Sequence, residues 1–198
     1  MPELKNQESQ KFNVLIVEDN DLQSRYLTRI LTNEFHEKLN ITCANTGLNA
    51  IEKIFSEAET NLLISDCELD PHRQTVSSQP IPPDITRIIN YFKTRELCDL
   101  NLLQHINSIS KTLHKRTLSS LLVETIRQGL LDVSNGFNIA TLTRLLINEK
   151  IEIVMMSANA KNKEKSAING FKNFFVKSRE NFPAMMGTIE KILNTQGF

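Results

Sequence analysis

The sequence has only three cysteines, no excess of charge of either sign and no long hydrophobic run. Cys43, Cys67 and Cys98 are odd in number and lack metal-ligand spacing, so we expect reduced thiols in a cytoplasmic protein. Lysine plus arginine equals aspartate plus glutamate, at 23 each, which gives no reason to expect nucleic acid or membrane as a partner. No stretch approaches the roughly 20 apolar residues that cross a bilayer. The polar segment 1–10 does not have the pattern of a secretory signal.

Short apolar runs alternate with helical patterns along the 198 residues, which is typical of buried parallel strands in an α/β sheet. Four of these runs end at polar residues: Glu18 and Asp19, then Asp66, then Ser157, which Ala158 follows, and finally Lys177. Ligands of such sheets bind at the carboxyl ends of the strands. We therefore expect three acids, a hydroxyl and a lysine to meet at one edge of the sheet.

The α/β pattern is interrupted after the third strand. Residues 71–83 are rich in proline and small polar residues, which argues against a helix or a central strand. Three amphipathic patterns follow up to about residue 130, and their apolar stripes are too strong for a solvated linker. They must pack on one another, on the rest of the domain or on a second copy. The chain thus divides into a polar tail (1–10), a first α/β part (11–70), a proline-rich loop with a helical insertion (71–130) and a second α/β part (131–198).

With its strand ends aligned, the chain resembles the receiver domains of bacterial response regulators, which have the CheY-like fold. The first strand with its acidic pair (14–20) and the turn into the second helix (46–51) are similar to the family pattern. So are the ends of the third, fourth and fifth strands, at residues 63–66, 155–158 and 174–177. It implies a flavodoxin-like, doubly wound sheet of five parallel strands in the order 2-1-3-4-5. The helical insertion then lies between strand 3 and helix 3.

The resemblance also implies a role for each residue at the strand ends. Asp66 is the phosphoacceptor. Mg²⁺ is held by Asp19, by Asp66, by Glu18 through a metal-bound water and by the backbone carbonyl of Glu68. A hard cation with oxygen ligands neutralises the charge that develops during phosphoryl transfer.

Three further residues match the positions that respond to the phosphoryl group in the family. Lys177 neutralises one phosphoryl oxygen, and Ser157, which precedes Ala158, donates a hydrogen bond to another. Phe174 occupies the aromatic switch position. Each of these residues alone would be unremarkable as a surface charge, a loop hydroxyl or a core ring, and only their common order along the chain favours the receiver interpretation.

By this resemblance we expect a stand-alone receiver that takes a phosphoryl group from a sensor histidine kinase or a histidine phosphotransfer protein. Its output would be an interaction with an unknown downstream protein, and its role signalling rather than enzymatic turnover. The alternative is a degenerate receiver that acts as a scaffold for binding or dimerisation through its insertion. A second alternative is a phosphohydrolase with an aspartyl nucleophile. Its pattern requires a second aspartate two residues after the first, and Glu68 at that position argues against it.

The chain departs from the family pattern in two places. Ser178 stands where the family has proline after the lysine, and a cis bond before serine would cost about 3–4 kcal/mol, so we expect a trans bond. The insertion enters just after Asp66, beside the phosphorylation pocket, and it could cover that pocket or form a homodimer surface. Its His105 lies on an amphipathic pattern but lacks the neighbours typical of phosphotransfer domains.

Overall fold

The computed structural model describes residues 11–56, 60–70, 83–94, 99–146 and 150–198. The strands are β1 (Phe12–Val17), β2 (Leu39–Ala44), β3 (Leu62–Asp66), β4 (Glu152–Ser157) and β5 (Asn173–Val176). The helices are α1 (Asp21–Phe35), α2 (Gly47–Ser56), α3 (Pro83–Thr94), α4 (Asp99–Ser110), α5 (Lys115–Arg127), α6 (Gly136–Leu146), α7 (Asn162–Ile168) and α8 (Phe182–Thr195). A short 3₁₀ turn (His36–Lys38) follows α1. None of the helices in the described ranges is long and apolar enough to cross a membrane.

The five strands form one parallel sheet in the order β2-β1-β3-β4-β5, which confirms the predicted fold class. The strands are in register at their carboxyl ends: Val17 pairs with Ser65, Asp66 with Met156, and Ser157 with Val176. Polar side chains provide the turns out of β1 and β2. The Asn20 side chain accepts hydrogen bonds from two amides of the first turn of α1, and Thr46 Oγ1 accepts one from Asn49 in α2. Strand ends and helix starts therefore meet at one edge of the sheet.

Alternate strand residues supply two separate cores, one on each face of the sheet. Leu15, Leu63 and Ile153 face the core shared with α2 and α6. Ile16 and Ile64 face the opposite core, which α1 and α8 cover. The sheet is buried on both faces, as its nearly continuous apolar runs predict.

The helical insertion forms a second layer over the α2 and α6 face. Helix α5 packs against α2 and α3, and α4 packs against α6. Its apolar stripes belong to the same continuous core as the sheet: Ile85, Ile89, Phe92, Leu102, Ile106, Leu118, Leu121, Leu122 and Ile126 are all buried. Of the three possible partners for these stripes, the structure shows packing on one another and on the rest of the domain.

The boundaries of the insertion differ slightly from the prediction. Residues 71–82 of the proline-rich loop lie outside the described residues. Pro83 was predicted to be non-helical, but it is the first residue of α3. The first helical turn tolerates proline because its N–H would have no partner there in any case.

The two ends of the insertion are held together at its base. The Leu69 amide donates to the Ser134 carbonyl at 3.1 Å, and the Gly136 amide donates to the Cys67 carbonyl at 3.2 Å. A Cβ at Gly136 would lie 1.8 Å from the Asp66 carbonyl oxygen, so only glycine fits at this approach. The insertion therefore leaves and rejoins the domain directly beside Asp66.

Candidate functional site

Three charged residues from distant parts of the chain meet at the carboxyl edge of the sheet. Glu18 follows β1, Asp66 ends β3 and Lys177 follows β5. The Lys177 ammonium donates to Glu18 Oε2 and to Asp66 Oδ2, at 2.6 Å in each case. Glu18 is only 1% exposed and Asp66 only 6%, so both carboxylates are largely removed from water. Buried charges need a partner, and here one lysine serves two acids.

The pKa values in this cluster are shifted by burial and by the shared lysine. Burial raises the pKa of Glu18 and of Asp66, and the hydrogen bonds from Lys177 offset only part of that effect. Burial alone would lower the pKa of Lys177, but the hydrogen bonds and charges of Asp66 and Glu18 outweigh burial and raise it. The lysine is therefore protonated at neutral pH, where it can neutralise negative charge beside Asp66.

Asp19 completes an acidic group with Glu18 and Asp66. One carboxylate oxygen from each of the three residues lies within 4.8 Å of the others. Backbone amides hold two of these carboxylates: Asp19 Oδ2 accepts from the Asp70 amide at 2.6 Å, and Asp66 Oδ1 accepts from the Glu68 amide at 3.3 Å. Three carboxylates and one ammonium leave a net negative charge. Such an oxygen donor set fits a hard divalent cation such as Mg²⁺.

Glu68 lies in the loop directly after Asp66, at the rim of the acidic group. Its amide contacts Asp66, and its exposed carboxylate accepts a hydrogen bond from the Asn162 side chain at 3.2 Å. Metal ligation by its backbone carbonyl stays a prediction.

Ser157 ends β4 next to this group and is fully buried, whereas the following Ala158 is exposed. The Ser157 hydroxyl oxygen accepts hydrogen bonds from the Asn159 amide and from the Asn162 side chain, each at 2.9 Å. Both contacts come from the segment that begins α7. Ser157 is thus positioned by the loop that follows it.

The two remaining predicted positions lie on β5 and just after it. Phe174 is half-buried and packs against the core on the α2 and α6 face. The peptide bond between Lys177 and Ser178 is trans, as predicted. Ser178 Oγ instead accepts hydrogen bonds from the Asn181 amide at 3.3 Å and from its side chain at 2.9 Å, which closes the turn before α8.

One polar residue of the site was not predicted from the sequence. Asn162, the first residue of α7, contacts both Ser157 and Glu68. The sequence offers Asn159 and Asn162 only three positions apart and gives no signal that separates them. His105, in contrast, is exposed on α4 in the insertion, with its ring 6.5 Å from that of Tyr91.

Comparisons with known proteins agree with this geometry. Neither a protein-family model nor a curated protein sequence matches the chain. Solved structures do match: a response regulator receiver protein from Pseudomonas putida has 12% identity and a TM-score of 0.51, over 94% of this chain and 98% of that chain. The signal receiver domain of an HD domain-containing protein from Pseudomonas fluorescens Pf-5 has 9% identity and a TM-score of 0.51, over 93% and 99%.

A third match is the phosphorylated cyanobacterial phytochrome response regulator RcpA, with 11% identity and a TM-score of 0.51, over 93% of this chain and 92% of that chain. At these identities the matches establish the fold. This chain therefore has the CheY-like fold of response regulator receiver domains.

Proposed function

We propose that this protein is a phosphoacceptor receiver in two-component signal transduction, with Asp66 as the residue that is phosphorylated. The observation that carries the proposal is the position of the Lys177 ammonium, 2.6 Å from both Asp66 and Glu18 within a cluster of three carboxylates. A structural ion pair needs one acid and one base. Here the carboxylates of Glu18, Asp19 and Asp66 lie together, and the repulsion between them would destabilise a purely structural site.

The donor of the phosphoryl group would be a phosphohistidine on a sensor histidine kinase or a histidine phosphotransfer protein. An Asp66 carboxylate oxygen attacks phosphorus, the phosphorus–nitrogen bond breaks, and its electron pair leaves with the imidazole. Lys177 stabilises the negative charge that the transferred group brings next to Asp66. Ser157 is the candidate hydroxyl donor to a phosphoryl oxygen, and Phe174 the candidate aromatic switch.

The residues present would hold Mg²⁺ between Asp19 and Asp66, with Glu18 through water and with the Glu68 carbonyl. Bound there, the ion would neutralise the phosphoryl oxygens during transfer. Lys177 cannot replace it, because a single ammonium leaves the three carboxylates and an incoming phosphoryl group with a large negative excess.

The output of such a protein would be a change in its affinity for a downstream protein, and the proposal includes no enzymatic turnover. The proposal also keeps the cytoplasmic location that the cysteines favour, and Cys43 and Cys67 are free thiols within the described residues.

A homodimer through the insertion stays a prediction. The apolar stripes of α3–α5 are already buried within one chain, so they do not need a second copy to cover them. Sedimentation of the protein with and without phosphorylation tests that prediction.

The alternative function is a scaffold that keeps the fold and is never phosphorylated. Two features favour it: Ser178 in place of the family's proline, and a helical layer that shares one core with the sheet. Magnesium binding distinguishes the two functions, because phosphoryl transfer to Asp66 requires the ion at Asp19 and a scaffold function does not.

The test is incubation with phosphoramidate and Mg²⁺, followed by intact-mass measurement. We expect the wild type to gain one phosphoryl group and Asp66→Asn to gain none. Asp84→Asn is the matched control, because this aspartate is exposed on α3, and it should behave like the wild type. Asp19→Asn should slow the reaction and raise the Mg²⁺ concentration that it requires. No gain on the wild type, together with no response to Mg²⁺ titration, would favour the scaffold.

A further inference from the structure

Asn162 links two parts of the acidic site that are far apart in the chain. Its side-chain amide has two N–H hydrogens, and both are used: one donates to Ser157 Oγ at 2.9 Å and the other to Glu68 Oε1 at 3.2 Å. Ser157 ends β4, and Glu68 lies in the loop after β3 that carries Asp66. One side chain at the start of α7 therefore holds both the hydroxyl residue and the phosphoacceptor loop.

The contacts of Ser157 define what remains available on its hydroxyl. A hydroxyl oxygen has two lone pairs and one hydrogen. The lone pairs accept from Asn162 and from the Asn159 amide, each at 2.9 Å. Within the described part of the chain, the hydroxyl donates no hydrogen bond to Asp66, whose oxygens accept from the Glu68 amide and from Lys177. In this state Ser157 is held by Asn159 and by Asn162 at the start of α7, and it donates no hydrogen bond to Asp66 within the described residues.

We propose that Asn162 is a positioning residue that latches the unphosphorylated state by holding Ser157 and Glu68 together, which presupposes the phosphoacceptor function proposed above. A phosphoryl group on Asp66 is a strong acceptor for the Ser157 hydroxyl hydrogen. The hydroxyl hydrogen is free to donate, but Ser157 Oγ makes no hydrogen bond to Asp66 among the described residues. The hydroxyl must therefore move toward the phosphoryl group, which draws Ser157 Oγ away from Asn162 and breaks the bridge to Glu68. The latch therefore opposes phosphorylation and, once released, frees the start of α7.

The strength of the latch follows from its two hydrogen bonds. One of them ends on a carboxylate, and both are at least partly exposed, so together they favour the latched state about fivefold to thirtyfold. An interaction that is made before the transfer and is lost in its transition state slows the reaction by the factor by which it stabilises the starting state. Asn162→Ala should therefore be phosphorylated about fivefold to thirtyfold faster than the wild type.

The experiment compares phosphorylation rates with phosphoramidate and Mg²⁺, followed by intact mass. Asn169→Ala is the matched control: Asn169 follows the same helix, and among the described residues its side chain donates to the local Lys165 carbonyl alone. It should react at the wild-type rate. Asn162→Asp should react more slowly than the wild type, because its carboxylate accepts the Ser157 hydroxyl hydrogen that the phosphoryl group needs. In a Ser157→Ala background, Asn162→Ala should have no further effect.

A second measurement needs neither phosphate nor metal. Hydrogen exchange of the Glu68 and Leu69 amides should rise about fivefold in Asn162→Ala and stay unchanged in Asn169→Ala, with the fivefold taken from one lost hydrogen bond. If the wild type is phosphorylated and Asn162→Ala reacts at the same rate or more slowly, the latch is overturned and the proposed function stands. An acceleration that persists in the Ser157→Ala background would likewise overturn the latch alone. Absence of phosphorylation on the wild type and on Asn169→Ala would overturn both the latch and the proposed function.

Discussion

At the scale of single residues, Lys177 determines whether the acidic site is tolerated in a folded protein. Its ammonium is the shared partner of Glu18 and Asp66, and its side chain is only 16% exposed. Removing one partner from a buried ion pair leaves a charge that water cannot reach. The site should therefore depend on this lysine for stability as well as for chemistry.

The stability cost of Lys177→Met should depend on pH. The raised pKa values of Glu18 and Asp66 mean that the folded state keeps their protons to a higher pH than the unfolded chain does. Stability from these two acids therefore falls as pH rises through the raised values. The contribution of Lys177 is fully present below its ordinary pKa of 10.5. Without the lysine, the loss should be about 3–5 kcal/mol at pH 7.5 and smaller at pH 5, because a larger share of the two carboxylates carries a proton at the lower pH.

Urea unfolding at the two pH values measures this difference. Lys191→Met is the matched control, since Lys191 is exposed on α8, and it should change stability by less than about 0.5 kcal/mol at either pH. An equal loss for Lys177→Met at pH 5 and pH 7.5 would show that the two carboxylates are not the cause.

At the scale of elements, the insertion behaves as part of the domain core. Leu121 on α5 is fully buried in the same cluster as Leu15 of β1 and Ile51 of α2. Leu121→Ala should therefore destabilise the whole domain by about 2–5 kcal/mol. Leu22→Ala, on a side chain that is 77% exposed, should change stability by less than about 0.5 kcal/mol.

The chain's two tyrosines show whether the insertion unfolds with the sheet. Tyr26 lies on α1 and Tyr91 on α3, so Tyr26→Phe and Tyr91→Phe each leave one fluorescent reporter, in a different part of the fold. Both reporters should give the same urea midpoint, with and without Leu121→Ala. A Tyr91 midpoint that shifts alone would mean that the insertion is a separate unit.

The elements also show what sequence could and could not predict. Short apolar runs predict the buried parallel strands, while the order 2-1-3-4-5 comes from the resemblance to receiver domains, and the structure confirms both. The stripes on α3–α5 indicate that one face of each helix is buried, but periodicity carries no information about the partner surface. The contacts of Asn162 were missed for a related reason: Glu68 lies 94 positions away, and only the folded chain brings the two together.

At the scale of the whole molecule, the sheet is covered unequally on its two faces. Helices α1 and α8 form a single layer on one face, while α2 and α6 on the other carry the additional layer of α3–α5. The loop after Asp66 is where the sheet and this added layer are joined. Cys67 lies at that junction: its amide donates to the Met156 carbonyl, and its carbonyl accepts from the Gly136 amide.

The Cys67 thiol should therefore report the opening of the whole molecule. It is 1% exposed, and burial, together with the charges of Asp66 and Glu68, raises its pKa to about 12. Compared with an ordinary pKa of 9.0, this leaves about a thousandfold less thiolate at pH 8. Iodoacetamide should leave Cys67 unmodified in the native protein and label it in urea, as peptide mapping would show. Because both parts of the fold must separate to expose this thiol, its labelling should follow global unfolding, with the same urea dependence. Labelling of Cys67 in the native protein at the rate found in urea would mean that this junction opens without the rest of the domain.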